Sequence, residues 1–114
     1  MIEIEYVEPT LIDKIRLISE KYSKKHQWVK AIEEVHELLR ELILTSEPSE
    51  NLWLEMVDVA VMSIQIAMQH NAMDKLGIGM EYKVSRQLKR MLEEGVITTE
   101  EYEKYQSNTR HQFD

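Results

Sequence analysis

Cysteine is absent from this 114-residue chain, which excludes disulfides and thiolate metal sites. Glycine occurs three times and proline twice. With so few helix breakers and a majority of helix-forming residues, the composition points to an all-α protein. No stretch of about 20 uncharged apolar residues occurs, so no transmembrane helix is expected and no membrane partner. The N-terminus "MIEIEYVEP" is acidic and has no apolar core, unlike a signal peptide; the expected location is the cytoplasm. Positive charge is scarce too. Against 21 acidic residues stand 14 Lys and Arg, a net charge of −7. That disfavours nucleic-acid binding, which needs a basic surface. A polyanionic small ligand would need an intervening cation.

Hydrophobic residues make up 43% of the chain, enough for one modest core. The expectation is a single domain over residues 1–114, with its core at about 10–94 and a short C-terminal helix and tail over 98–114. The segment 1–8 alternates Ile2, Ile4 and Tyr6 with glutamates, as a short strand or extended arm would. Pro9 and Thr10 open a helix over 10–24, with Leu11, Ile15 and Ile18 on one stripe. "SKKHQ" loosens that pattern, and a second helix follows over 27–45. Pro48 and Ser49 stop it and start a third over 50–70. "NAMDKLGIG" reads as a break before a fourth helix, 80–94, ending near Gly95. Thr98 and Glu101 stand in capping-box spacing for a last short helix.

The third helix is unusual. From Met56 to Met68 its only polar residues are Asp58, Ser63 and Gln65. A surface helix shows a polar face every turn, so this one is expected to be buried on most sides, partly by another subunit. The sequence therefore predicts a four-helix-type homodimer or homotetramer.

Two carboxylate pairs carry the chemistry. Glu34 and Glu37 are three apart on the second helix, and Glu55 and Asp58 three apart on the third. An i, i+3 spacing puts each pair on one helix face. Folding the two helices into an antiparallel hairpin about residues 46–49 sets the pairs roughly 4.5 Å apart along the axis, so the two prongs converge. Carboxylates about 4 Å apart repel by on the order of 4 kcal/mol at an effective dielectric near 20. No Lys or Arg lies between residues 50 and 70 to relieve this. All-oxygen ligation suits a hard cation, Mg²⁺ or Mn²⁺. Alone, Glu34 and Glu37 read as a wet helix face. Asp58, embedded in an apolar helix, tips the reading toward a cation site.

The pattern Glu-x-x-Glu, seventeen residues, Glu-x-x-Asp, within "QWVKAIEEVHEL" and "LWLEMVDVAVM", resembles the all-α nucleoside triphosphate pyrophosphohydrolase superfamily. That superfamily includes the MazG-like proteins, the dimeric dUTPases and phosphoribosyl-ATP pyrophosphatase. The resemblance spans about residues 20–92. It implies a MazG-like fold in which Glu34, Glu37, Glu55 and Asp58 bind Mg²⁺. It also implies hydrolysis of a nucleoside triphosphate to a monophosphate and pyrophosphate, with Glu34 or Glu37 as general base. On the following helix the resemblance implies a phosphate-binding face of Lys83, Gln87 and Arg90, with Arg86 close by. Gln87 stands where Asn is usual.

Other residues carry plainer readings. Glu33 and His36 form one Glu-x-x-His, but a di-iron bundle needs a second copy; His36 is read as a surface or subunit-contact residue. Lys30 is read as an ion-pair partner of Glu34, and Trp28 and Trp53 as core. The rival to an enzyme is a non-catalytic helical interaction or regulatory subunit that keeps the carboxylates.

Overall fold

The computed structural model describes residues 8–106. Among them are five helices and no strand: α1 Leu11–Lys21, α2 Lys24–Leu44, α3 Glu50–Gln69, α4 Met73–Glu93 and α5 Thr99–Tyr105. The all-α expectation holds. The proposed arm at Ile2, Ile4 and Tyr6 and the tail from residue 107 lie outside the described residues.

The chain divides into two compact units, one ending at Ala72 and one starting at Met73. The first comprises α1–α3. Thr10 caps α1 through a capping box: its hydroxyl accepts from Asp13 N–H at 3.1 Å, and the Asp13 carboxylate accepts from Thr10 N–H at 2.9 Å. That backbone hydrogen bond, first, and the side-chain bond to Thr10 hold the Asp13 carboxyl below its ordinary range. Ser23, not residue 27, starts α2; its hydroxyl accepts from His26 N–H at 3.0 Å. The cap outweighs the weak periodicity of "KKHQ", so the helix begins a turn earlier than the apolar stripe suggests.

α2 and α3 form an antiparallel hairpin, and α1 packs on α3. Glu41 sets the register of the hairpin near its closed end. Its carboxylate accepts from Asn51 Nδ2 at 2.6 Å and from the Thr45 hydroxyl at 3.2 Å. At the open end Gln69 fixes α1, with Nε2 donating to the carbonyls of Ser19 and Tyr22, each at 2.9 Å. The buried apolar residues are few: Ile15, Leu52 and Ala67. Full burial of a side chain such as Ile15 contributes about 1.5–3 kcal/mol. Most of the apolar surface of α2 and α3, from Ile32, Leu39 and Leu42 to Trp53, Leu54 and Val57, stays half exposed or more. Trp28 and Trp53, read as core, are both exposed.

α3 is long and apolar enough to cross a membrane by length and composition, and 17% of its most apolar window is buried. Glu55 and Asp58 interrupt its apolar run, so it contains no uncharged stretch of membrane-spanning length.

The second unit is the hairpin of α4 and α5. Gly95, at φ 74°, ends α4, with Val96 N–H donating to Met91 C=O at 2.8 Å. Only glycine takes that conformation without cost. Thr98 and Glu101 form the capping box that opens α5. One difference from the sequence reading concerns "NAMDKLGIG". The break is confined to residues 70–72, with Asn71 at φ 53°, and α4 already begins at Met73, running through Gly77 and Gly79. A helix interior tolerates glycine at a cost of about 1 kcal/mol each, and an added Cβ would meet nothing within 4 Å at either position. Gly77→Ala and Gly79→Ala should therefore each stabilise the chain by about 0.5–1 kcal/mol, measured as a raised urea midpoint.

Candidate metal centre

The centre forms where α2 and α3 face each other in mid-hairpin. Glu34, Glu37 and Glu55 each offer one carboxylate oxygen, and these oxygens lie within 4.8 Å of one another. Two residues come from one face of α2, the third from α3 opposite. The Glu41–Asn51 clamp, one turn and more toward the loop, fixes the register in which they meet. On two of these residues one carboxylate oxygen, Glu34 Oε2 and Glu55 Oε2, is buried and has no hydrogen-bond partner. A buried oxygen without a donor costs about 1–3 kcal/mol, more when charged.

Electrostatics follow from that geometry. Burial pushes the Glu34 carboxyl above its ordinary range, and the charges of Asp58 and Glu37 push it further against the pull of Lys30. Burial also raises Glu55, joined by the charges of Glu37 and Asp58 and by a hydrogen bond with Glu37. Carboxylates crowded in this way favour sharing a proton or binding a cation.

Asp58 differs from its expected place. It acts electrostatically on both Glu34 and Glu55, yet it is outside the three-oxygen group and exposed to solvent. The buried, unpartnered oxygens belong to Glu34 and Glu55 instead. An apolar sequence neighbourhood indicates burial only where another element covers it, and α1 and α2 leave the Asp58 side of α3 open. Lys30 spans Glu33 at 3.2 Å and Glu34 at 3.8 Å, as the helical spacing implies. Its ammonium is held above its ordinary range, first by the Glu33 hydrogen bond. His36 is exposed. Lys83, Arg86, Gln87 and Arg90 all lie on the exposed surface of α4, in the second unit.

Sequence reasoning missed the Glu41–Asn51 clamp and the Gln69 bridge. Both join residues far apart in the chain, and the only local sign of either was an unexplained amide beside an apolar run.

Residues 73–114 match the SHOCT domain family. No curated protein and no solved structure matches the chain. The match corrects the resemblance drawn from the carboxylate pattern. The family matched over that segment is a small helical domain, not a MazG-like pyrophosphohydrolase family. The reason lies in the motif itself. Two i, i+3 acid pairs facing each other specify a helical hairpin that concentrates negative charge, and any such hairpin satisfies them. The match also covers the α4 residues assigned to phosphate binding, so those roles lose the resemblance that suggested them.

The raised carboxyls give a pH prediction for the metal-free protein. Folded Glu34 and Glu55 hold their protons to a higher pH than the unfolded chain, whose value is near 4.5. Between that pH and the raised values the folded state binds more protons, so stability falls as pH rises through the window. Metal-free protein should show a lower Tm at pH 7 than just above pH 4.5, and Glu55→Gln should flatten that decline. Differential scanning calorimetry with a chelator measures both.

Proposed function

We propose that Glu34, Glu37 and Glu55, with Asp58 beside them, bind Mg²⁺ or Mn²⁺, and that the protein is a metal-dependent nucleoside triphosphate pyrophosphohydrolase. The observation that carries this reading is the pair of buried carboxylate oxygens, Glu34 Oε2 and Glu55 Oε2, that no donor in the described chain satisfies. The donor set fits the group: three carboxylates within 4.8 Å and no sulfur or imidazole suit a hard divalent cation. Such a cation, when bound, neutralises phosphate oxygens and lowers the pKa of a water.

The protein's own residues divide the remaining work. Glu34 and Glu55, half-buried, hold the cation. Glu37, exposed, offers the cation one oxygen and with the other takes the proton from the attacking water as general base. A net charge of −7 and three clustered carboxylates leave a polyphosphate little reason to approach this centre unless a cation receives it. The products are a nucleoside monophosphate and pyrophosphate.

We also read the chain as a homodimer or homotetramer. The support is the breadth of apolar surface that α2 and α3 leave exposed, more than a soluble monomer ordinarily shows. A membrane is the less favoured cover for α3, because Glu55 and Asp58 would each cost about 2.5–3.5 kcal/mol at mid-bilayer.

A panel of nucleoside triphosphates tests the activity. Pyrophosphate should appear in a Mg²⁺-dependent manner with at least one of them. Glu37→Gln should lower kcat by about 10²-fold or more while the helical circular dichroism persists. If no triphosphate yields pyrophosphate with either metal, the enzyme reading fails, and the rival, a cation-binding interaction module, takes its place. Light scattering should return a mass of two or four chains; a strictly monomeric protein contradicts the reading of the exposed face.

A further inference from the structure

A second site lies at the open end of the hairpin, where α1 ends, α2 begins and α3 ends. A pocket of about 500 Å³ opens there, in the size range of small-molecule sites. It shares no residue with the carboxylate centre. Gln69, on its wall, is about 16 Å along α3 from Asp58 at 1.5 Å per residue.

The lining is unlike the rest of this acidic chain. Arg16 and Lys24 both face the pocket, and among the described residues neither lies within ion-pair distance of a carboxylate. Glu20 is the single acid on the wall. The local backbone adds to the positive balance. The C-terminal end of α1 would present carbonyl oxygens here, but Gln69 Nε2 occupies those of Ser19 and Tyr22. The N-terminal end of α2 is less completely capped. Ser23 serves His26 and Gln27, and the N–H groups of Lys24 and Lys25 have no acceptor among the described residues. Two side-chain cations beside an open helix N-terminus favour an anion. At the rim the Tyr22 ring stacks on His26, centroids 4.6 Å apart. The Gln69 amide nitrogen ties this wall to the end of α1 through those two bonds.

We propose that this pocket binds the phosphate group of a small ligand, between Arg16 and Lys24. Two sources share that chemistry, free inorganic phosphate and a nucleoside monophosphate, and the second could also lay its base on Tyr22. The site needs no metal and stands apart from the hydrolytic reading.

The test is a titration of the full isotope-labelled chain, with chelator present so that the carboxylate centre contributes nothing. Inorganic phosphate and adenosine monophosphate are added in separate arms, and amide shifts are followed by NMR. Saturable shifts confined to residues 16–24 and 68–71 in either arm support the proposal. Saturation in both arms shows that phosphate itself is recognised; saturation with the nucleotide alone identifies the ester as the source. Arg16→Gln and Lys24→Gln should each weaken binding about tenfold, as loss of a charge-assisted hydrogen bond does. Glu20→Gln, which removes the one repelling group, should tighten it. The spectrum away from the pocket reports that each variant is folded. The proposal is overturned if neither probe gives saturable shifts up to tens of millimolar, or if binding is indifferent to both cation substitutions.

Discussion

Repulsion among Glu34, Glu37 and Glu55 is the constraint around which the first unit is arranged. Three carboxylates meet within 4.8 Å at the seam of a hairpin whose other residues are largely apolar. Left alone, they would drive α2 and α3 apart in mid-seam. Toward the closed end the hairpin is fastened across the seam by Glu41 with Asn51; toward the open end Gln69 ties α3 to the end of α1. The seam concentrates negative charge and is tied by a hydrogen bond near its closed end. A structure of that kind gains most from a ligand that removes the charge, which is why the proposed function begins with a cation and not with a nucleotide.

The same seam accounts for the pattern of unsatisfied polar atoms. Among the described residues, the buried side-chain oxygens without partners are those of Gln27, Glu34, Glu55 and Gln69. All are acceptors and all belong to α2 or α3. Buried acceptors in a native protein ordinarily meet donors, water or ions. Two of the four are in the carboxylate centre, and one, Gln69, is on the wall of the open-end pocket.

Much of this was legible in the sequence, and the reasons differ by element. The helix ends at Thr10, Ser49, Gly95 and Thr98 were readable because each depends on a side chain or glycine within three or four residues of the helix it bounds. The convergence of Glu34, Glu37 and Glu55 was readable because helix rise and a short turn fix the level of facing residues. Asp58 was misjudged, because apolar neighbours in sequence say what a helix is made of and not which side of it is covered. The start of α4 was misjudged for a related reason. Gly77 and Gly79 look like a break, but their cost is small enough for a helix to run through them. The family resemblance failed because a motif of four acids describes a local geometry, whereas the SHOCT match rests on a continuous segment, residues 73–114.

The central claim is that the mid-hairpin carboxylates are a cation site, and electron paramagnetic resonance of Mn²⁺ tests it without assuming any substrate. Titrating the full chain with Mn²⁺ should remove the free-ion signal until the centre is filled, Mg²⁺ should restore that signal by competition, and Glu34→Gln with Glu55→Gln should abolish the uptake in a chain that remains helical. A free Mn²⁺ signal that the protein leaves undiminished, or uptake that survives the loss of both glutamates, would contradict it.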